Sequence, residues 1–230
     1  GLVNLTLGGN AHFLAGGGGA VLDGTGDYMD LGAAFAFAAT DGFTWCAWVR
    51  YDTQVDPVQA RLLYLRDSGK KNTILLTTYD HHTTRRAGFL IQNAGTNKYL
   101  RTAETDLDEG FFQEAVGSWA HLGATASLNG TMTLWRDGVT RDDWMTNDGV
   151  EVNTNNITYT DADLGCAWGS SKCFAGALKD VRLYARALSG DELAALAAAH
   201  KPPPLPTTAP TAAPTAEPTA DPTAAPTAAP

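Results

Sequence analysis

The side chains able to do chemistry fall into a few groups along the chain. Glu104, Asp106 and Glu109, with Asp108 beside them, place four carboxylates within Glu104-Thr105-Asp106-Leu107-Asp108-Glu109, followed at once by Gly110. Such a density suits a solvated acidic loop or an incidental cation site. Carbohydrate recognition needs aromatic platforms with planar polar side chains beside them. Tyr79, His82 and Arg85, in a polar cluster with His81 and Arg86, offer that combination. So do Trp144, in the acidic stretch 142–148, and Trp168, between two cysteines; these are the tryptophans that strand packing explains least. Trp45, Trp48 and Trp119 are expected in the core. Cys166 and Cys173 bracket a short Gly/Ser loop between two expected strands, where a disulfide would clamp a hairpin, whereas Cys46 is expected to be buried and reduced. Asn4, Asn129 and Asn156 each open an Asn-x-Ser/Thr acceptor triplet. The histidines lack metal-ligand spacing with cysteine, and no glycine-rich phosphate loop stands between a strand and a helix.

Strands must position these groups. Residues 174–184 alternate with period two, which assigns Leu178, Asp180, Arg182 and Tyr184 to one face and Ala177, Lys179, Val181 and Leu183 to the other. Ser189 with Glu192 three residues on is a capping box, and Leu188 can staple onto Leu193, so a short helix is expected over 189–199. Leu2–Leu7 with Ala11–Leu14, then Ala20–Leu22 with Tyr28–Leu31, read as short strand pairs. Phe43–Tyr51, Arg61–Arg66, Thr73–Tyr79 and Ala87–Gln92 follow at the spacing of a meander or jelly roll. Asn129-Gly130 and Asp137-Gly138 are hairpin turn dipeptides. The pattern predicts an all-β fold: a two-sheet antiparallel jelly-roll sandwich with one short C-terminal helix.

Composition limits the partners. The 230 residues are 44 % hydrophobic and carry a formal charge of −9, which argues against nucleic acid and anionic membrane surfaces. No apolar run approaches the ~20 residues that span a bilayer. The chain opens at Gly1 without a charged-then-apolar leader, as expected of a processed secreted protein or an excised fragment. Residues 201–230 differ in kind from residues 1–200. From Pro206 to Pro230 proline recurs every fourth residue, with threonine after each except the last. That repeat predicts an extended polyproline II tail, with Thr207, Thr211, Thr215, Thr219, Thr223 and Thr227 directed to all sides as expected O-glycosylation sites.

Gly-Ala-Leu-Lys-Asp-Val-Arg-Leu-Tyr-Ala-Arg-Ala-Leu-Ser (176–189) resembles the closing strand of laminin-G-like, concanavalin-A-like jelly-roll domains. Leu-Asp-Gly-Thr-Gly-Asp-Tyr-Met-Asp-Leu-Gly (22–32), Phe-Thr-Trp-Cys-Ala-Trp-Val-Arg (43–50), Trp-Ala-His-Leu-Gly-Ala-Thr (119–125) and Leu-Trp-Arg-Asp-Gly-Val (134–139) resemble its other signature strands, in the right order. The resemblance implies a structural calcium ion held by Asp180 and the early turn with Asp23, Asp27 and Asp30, although Lys179 stands where the family usually has an acid. The stretch 104–109 resembles the E-x-D-x-x-E strand of laminarinase-type glycoside hydrolases, in which Glu104 and Glu109 would be nucleophile and acid and Asp106 would tune them. Thr105 and Asp108 depart from that pattern, so no catalysis is expected. Two functions remain. One is a secreted structural glycoprotein module that self-assembles through its glycosylated tail into an extracellular fibre or cell-wall assembly. The other is a module binding glycans or polysaccharide at a cell surface, tethered by its Pro/Thr linker to a polysaccharide-active enzyme or adhesin.

Overall fold

The structure is a computed structural model. It describes residues 5–32, 36–52, 60–78, 87–101, 117–140, 144–146, 157–166 and 172–202, with backbone alone at 144–146. In chain order the strands are β1 (Thr6–Gly8), β2 (His12–Phe13), β3 (Ala20–Asp23), β4 (Tyr28–Asp30), β5 (Phe37–Ala38), β6 (Phe43–Tyr51), β7 (Arg61–Asp67) and β8 (Thr73–Thr77). They continue as β9 (Gly88–Asn93), β10 (Thr96–Arg101), β11 (Trp119–Ala126), β12 (Met132–Arg136), β13 (Val139–Thr140), β14 (Trp144–Thr146), β15 (Thr158–Leu164) and β16 (Ala175–Tyr184), before helix α1 (Gly190–His200). Among the described residues one sheet runs β1-β4-β15-β7-β8-β9-β10-β14, with β5 also on β15, and the other runs β13-β12-β11-β6-β16-β3-β2. All the strand pairs are antiparallel. This is the two-sheet sandwich with one C-terminal helix that the alternation predicts.

The core lies between the sheets, where side chains at every second position meet. Phe43, Trp45, Ala47, Val49 and Tyr51 of β6 face Leu63, Leu65, Ile74, Leu76, Phe89 and Ile91 of the other sheet in one buried cluster. The other side of β6 is covered too, because α1 packs there: Cys46, Leu188 and Leu193 form a second buried cluster. The helix starts as its sequence requires. The Ser189 hydroxyl accepts the Glu192 amide at 3.3 Å and the Glu192 carboxylate accepts the Ser189 amide at 2.9 Å. The paired guanidinium of Arg186, then the Ser189 amide, hold the Glu192 carboxyl down to about 2.

Three sequence expectations need correction. First, β1 and β2 are not a pair, and neither are β3 and β4. β1 joins β4 while β2 joins β3, so the chain changes sheet between each couple. The buried Asp27 carboxylate fixes one of these crossings by accepting the amides of Asn10 at 2.5 Å and Asp23 at 2.8 Å. Second, the alternation of β16 breaks. Its register against β6 slips between Lys179 and Arg182, and Asp180 takes a left-handed φ of 51°. The extra residue puts Leu178, Val181 and Leu183 on the inner side, against the core, and Lys179, Arg182 and Tyr184 on the helix side. Third, Trp119 is only half-buried, with the Arg50 guanidinium 5.5 Å above its ring, whereas Trp45 and Trp48 are buried. Asn129-Gly130 and Asp137-Gly138 do turn the chain, between β11 and β12 and between β12 and β13.

Candidate functional site

The nine-stranded sheet has one face in the core and a second face that carries chemistry. Its register aligns rungs across the strands. One runs Asp163, Tyr64, Leu75, Leu90, Tyr99, Thr146. The next runs Asp161, Arg66, Thr73, Gln92, Asn97. A third, at the end of the strands, runs Arg61, Thr77, Gly88, Arg101, Trp144. Two tyrosines, three arginines, two carboxylates and two amides therefore share one surface. Tyr64 is flanked by two guanidiniums, Arg61 at 4.2 Å and Arg66 at 4.7 Å from its ring centre, and Arg101 lies 5.1 Å from the Tyr99 ring. Arg66 is held from the other side by Asp161 and, at 3.8 Å, by Asp163. Guanidiniums held over rings, and in Arg66 also by carboxylates, are preorganised, planar donors. Hydroxyl-rich or carboxylate-bearing ligands are what such donors fit.

The loops that carry the remaining candidates leave from one end of this sheet. Thr78 donates to Ala60 at 2.9 Å, Arg61 to Lys172 at 3.3 Å, Phe174 to Gly165 at 2.6 Å and Gly117 to Tyr51 at 2.7 Å, all through backbone amides. The described residues that flank segments 53–59, 79–86, 102–116 and 167–171 are thus bonded to one another near the rung of Arg61, Arg101 and Trp144. Tyr79, His82, Arg85, Trp168, Glu104, Asp106 and Glu109 belong to those segments and lie outside the described residues. Of Trp144 the backbone alone is described, opposite Arg101. The face itself, with Tyr64, Tyr99, Arg61, Arg66, Gln92 and Asn97, was not among the sequence candidates. Its signal was there: in 61–66 and 97–101 aromatic and planar polar residues alternate with Leu63, Leu65 and Leu100.

Cys166 and Cys173 are joined by a disulfide at the foot of β16, and Cys46 is free and buried. Burial pushes its thiol up to about 12. Asn129 is exposed at the β11–β12 turn, its Oδ1 accepting the Thr131 amide at 3.1 Å. Asn4, Asn156 and the six tail threonines lie outside the described residues.

The four carboxylates expected around calcium do not fit one ion. Asp30 belongs to the nine-stranded sheet, while Asp23 and Asp180 belong to the other. Asp23 stands opposite Ala175, five residues or about 16 Å along β16 from Asp180 at the rise of a strand. The two oxygens of Asp27 each accept a backbone amide, and Asp180 is paired with Arg182 at 2.9 Å and faces His200 at 3.7 Å. Among the described residues no group of three or more acidic, histidine or cysteine side chains is placed to hold a metal ion.

In sequence, no curated protein matches the chain. In structure, the receptor binding domain of botulinum neurotoxin D superposes with a TM-score of 0.60 at 12 % identity, covering 86 % of this chain and 48 % of that one. The binding domain of Paraclostridial Mosquitocidal Protein 1 gives 0.60 at 16 % identity, covering 84 % and 47 %. The receptor binding domain of botulinum neurotoxin type G gives 0.58 at 13 %, covering 84 % and 45 %. The chain spans about half the length of these structures, and at such identities they share its fold. No helix among the described residues is long and apolar enough to cross a membrane, and a laminin-G-like domain with a disulfide points to an extracellular protein. The profile of the concanavalin A-like lectin/glucanases superfamily, in its laminin-G form, matches residues 23–194, and the chain belongs to that family.

Proposed function

We propose that this domain is an extracellular, non-catalytic recognition module that binds carbohydrate on the outer face of its nine-stranded sheet. The observation that carries the reading is the pair of arginine–tyrosine contacts at Tyr64 and Tyr99, on one rung of the sheet with Gln92, Asn97 and Asp161 on the next. Tyrosine rings suit the apolar faces of sugars, and the guanidiniums, amides and carboxylates suit their hydroxyls. The lectin membership of the family and the receptor-binding role in the names of its structural neighbours agree with this reading. Tyr79, His82, Arg85, Trp144 and Trp168 extend the same surface in the proposal, supported by the described residues next to their segments, which lie at its end. The test is a glycan array followed by calorimetry on the best ligand. Tyr64→Ala and Tyr99→Ala should each weaken binding at least tenfold with the fold retained. Undiminished binding in both would remove the face from the site.

The tail supports a second reading. A threonine after nearly every fourth-residue proline is suited to a rod coated with O-glycans, which would make the domain the head of a self-assembling structural glycoprotein. Mass analysis of the tail peptide should then find sugar on threonine, and a bare peptide would count against it. The glucanase-like stretch 104–109 is read as non-catalytic, and incubation with β-1,3-glucan should release no reducing sugar.

A further inference from the structure

Strand β16 is paired unequally on its two sides. β6 accompanies it from Gly176 to Tyr184, but β3 accompanies it only from Ala175 to Leu178. Past the bulge, Asp180–Tyr184 has no strand on the β3 side among the described residues. Every second residue of an antiparallel strand directs its N–H and C=O to a given side, so this half of β16 presents a backbone edge. Below the edge lies a cleft of about 1450 Å³ between the two sheets. Met29, Leu31 and Phe37 line it from one sheet, and Leu178, Val181 and Leu183 from the other. Lys179, Arg182 and Lys201 stand around it, with Asp180 as the sole carboxylate among its described lining residues. The cleft is therefore basic in a chain whose formal charge is −9.

We propose that this edge and cleft dock an extended peptide of a partner protein by strand addition. The peptide would carry large apolar side chains at alternate positions, facing the cleft, and carboxylates at the positions between, facing Lys179 and Lys201. The backbone edge selects a polypeptide, because neither an acyl chain nor a sugar can continue a ladder of amide hydrogen bonds. The apolar walls and the period of two fix the alternation, and the basic rim fixes the charge. The chain's own Pro/Thr/Ala tail is a poor occupant, since proline has no N–H to give to the ladder.

The test uses the full chain and an acetylated octapeptide, Thr-Val-Glu-Val-Thr-Val-Glu-Val, with two N-methylated versions. One is methylated at the valines and the other at the positions between them. The parent should bind and slow amide exchange at Val181, Arg182 or Leu183. One methylated peptide should lose at least tenfold in affinity while the other retains it, because only alternate amides face the ladder. Lys179→Glu should weaken the parent severalfold without lowering the melting temperature. Three results would each overturn the proposal: equal binding of both methylated peptides, no binding at millimolar peptide, or slow exchange, already present in the free monomer, at those amides of 181–183 that point away from β6. A concentration-dependent dimer that protects the same amides without peptide would overturn it in favour of a second copy.

Discussion

His121 should make the fold acid-sensitive in a way that one substitution removes. The residue is buried on β11 beneath the helix side of the sheet, opposite Trp48, with the two rings 5.5 Å apart and edge-on. Burial holds its imidazole down to about 4 from 6.5, outweighing the favourable charges of Asp137 and Asp180, while Arg182 and His200 add to the lowering. Because the folded value is depressed, the unfolded chain takes up the proton first as pH falls. The stability is fully present above pH 6.5 and is lost down to about pH 4. The linkage relation gives a loss of about 2 kcal/mol at pH 5 and about 3 kcal/mol at pH 4 from this residue alone. His121→Phe keeps a ring against Trp48 and cannot titrate. Urea unfolding of both proteins at pH 7, 5.5 and 4 isolates the effect, since the contributions of the carboxylates are common to both and cancel in the difference. The wild type should lose about 3 kcal/mol relative to the variant between pH 7 and 4. Parallel pH profiles would show that His121 is not the buried neutral group described above.

Other perturbations probe the bulge, a turn and the disulfide. Asp180→Ala removes the partner of Arg182 and leaves a left-handed φ without the side chain that tolerates it, a loss of about 1–2 kcal/mol. That loss should be equal in calcium and in chelator, and one confined to calcium would restore a cation to this strand. Gly138→Ala would place a Cβ 2.7 Å from that of Ala194 at a φ of +81°, so urea midpoints should report a loss of about 1–3 kcal/mol. A variant as stable as the wild type would mean that α1 can shift away from the turn. Reducing the Cys166–Cys173 bond reopens a short loop worth roughly 2–3 kcal/mol by chain entropy, and calorimetry should show a fall of several degrees. An unchanged transition would locate the bridge in a region that unfolds independently.

The architecture was readable because burial on both sides forces pattern. In Phe43–Tyr51 all nine residues are buried, and a strand enclosed on both faces reads as a continuous run flanked by turns. The capping box around Ser189 and the Asp-Gly turn at 137–138 are local chemistry, so sequence suffices for them. Strand partners were not readable at the N-terminal end, since the crossing held by Asp27 depends on an aspartate whose partners are amides 17 and 4 residues away. The parity of β16 was misread for a related reason: a single aspartate in a left-handed conformation exchanges the two faces of everything after it. The carboxylates expected around calcium are divided between the two sheets, because a spacing in sequence says nothing about which sheet each one joins. The face with Tyr64 and Tyr99 is not legible as one cluster because its arginines, tyrosines, amides and carboxylates come from four strands, β7, β9, β10 and β15, that only the sheet register brings together.

The two ends of the nine-stranded sheet differ in how much sequence they can absorb. At one end the chain turns in tight hairpins. Asp67 ties its turn by accepting the amides of Lys71 and Asn72, and Ala94 and Gly95 turn at φ values of 47° and 90°. At the other end four longer connections enter and leave beside backbone bonds such as Thr78 to Ala60 and Phe174 to Gly165. The described rungs and core residues all lie outside these connections. The fold is accordingly divided into a part that must be kept and a part that can be rewritten, and libraries grafted at that end alone could redirect the module to new ligands without redesigning its foundation.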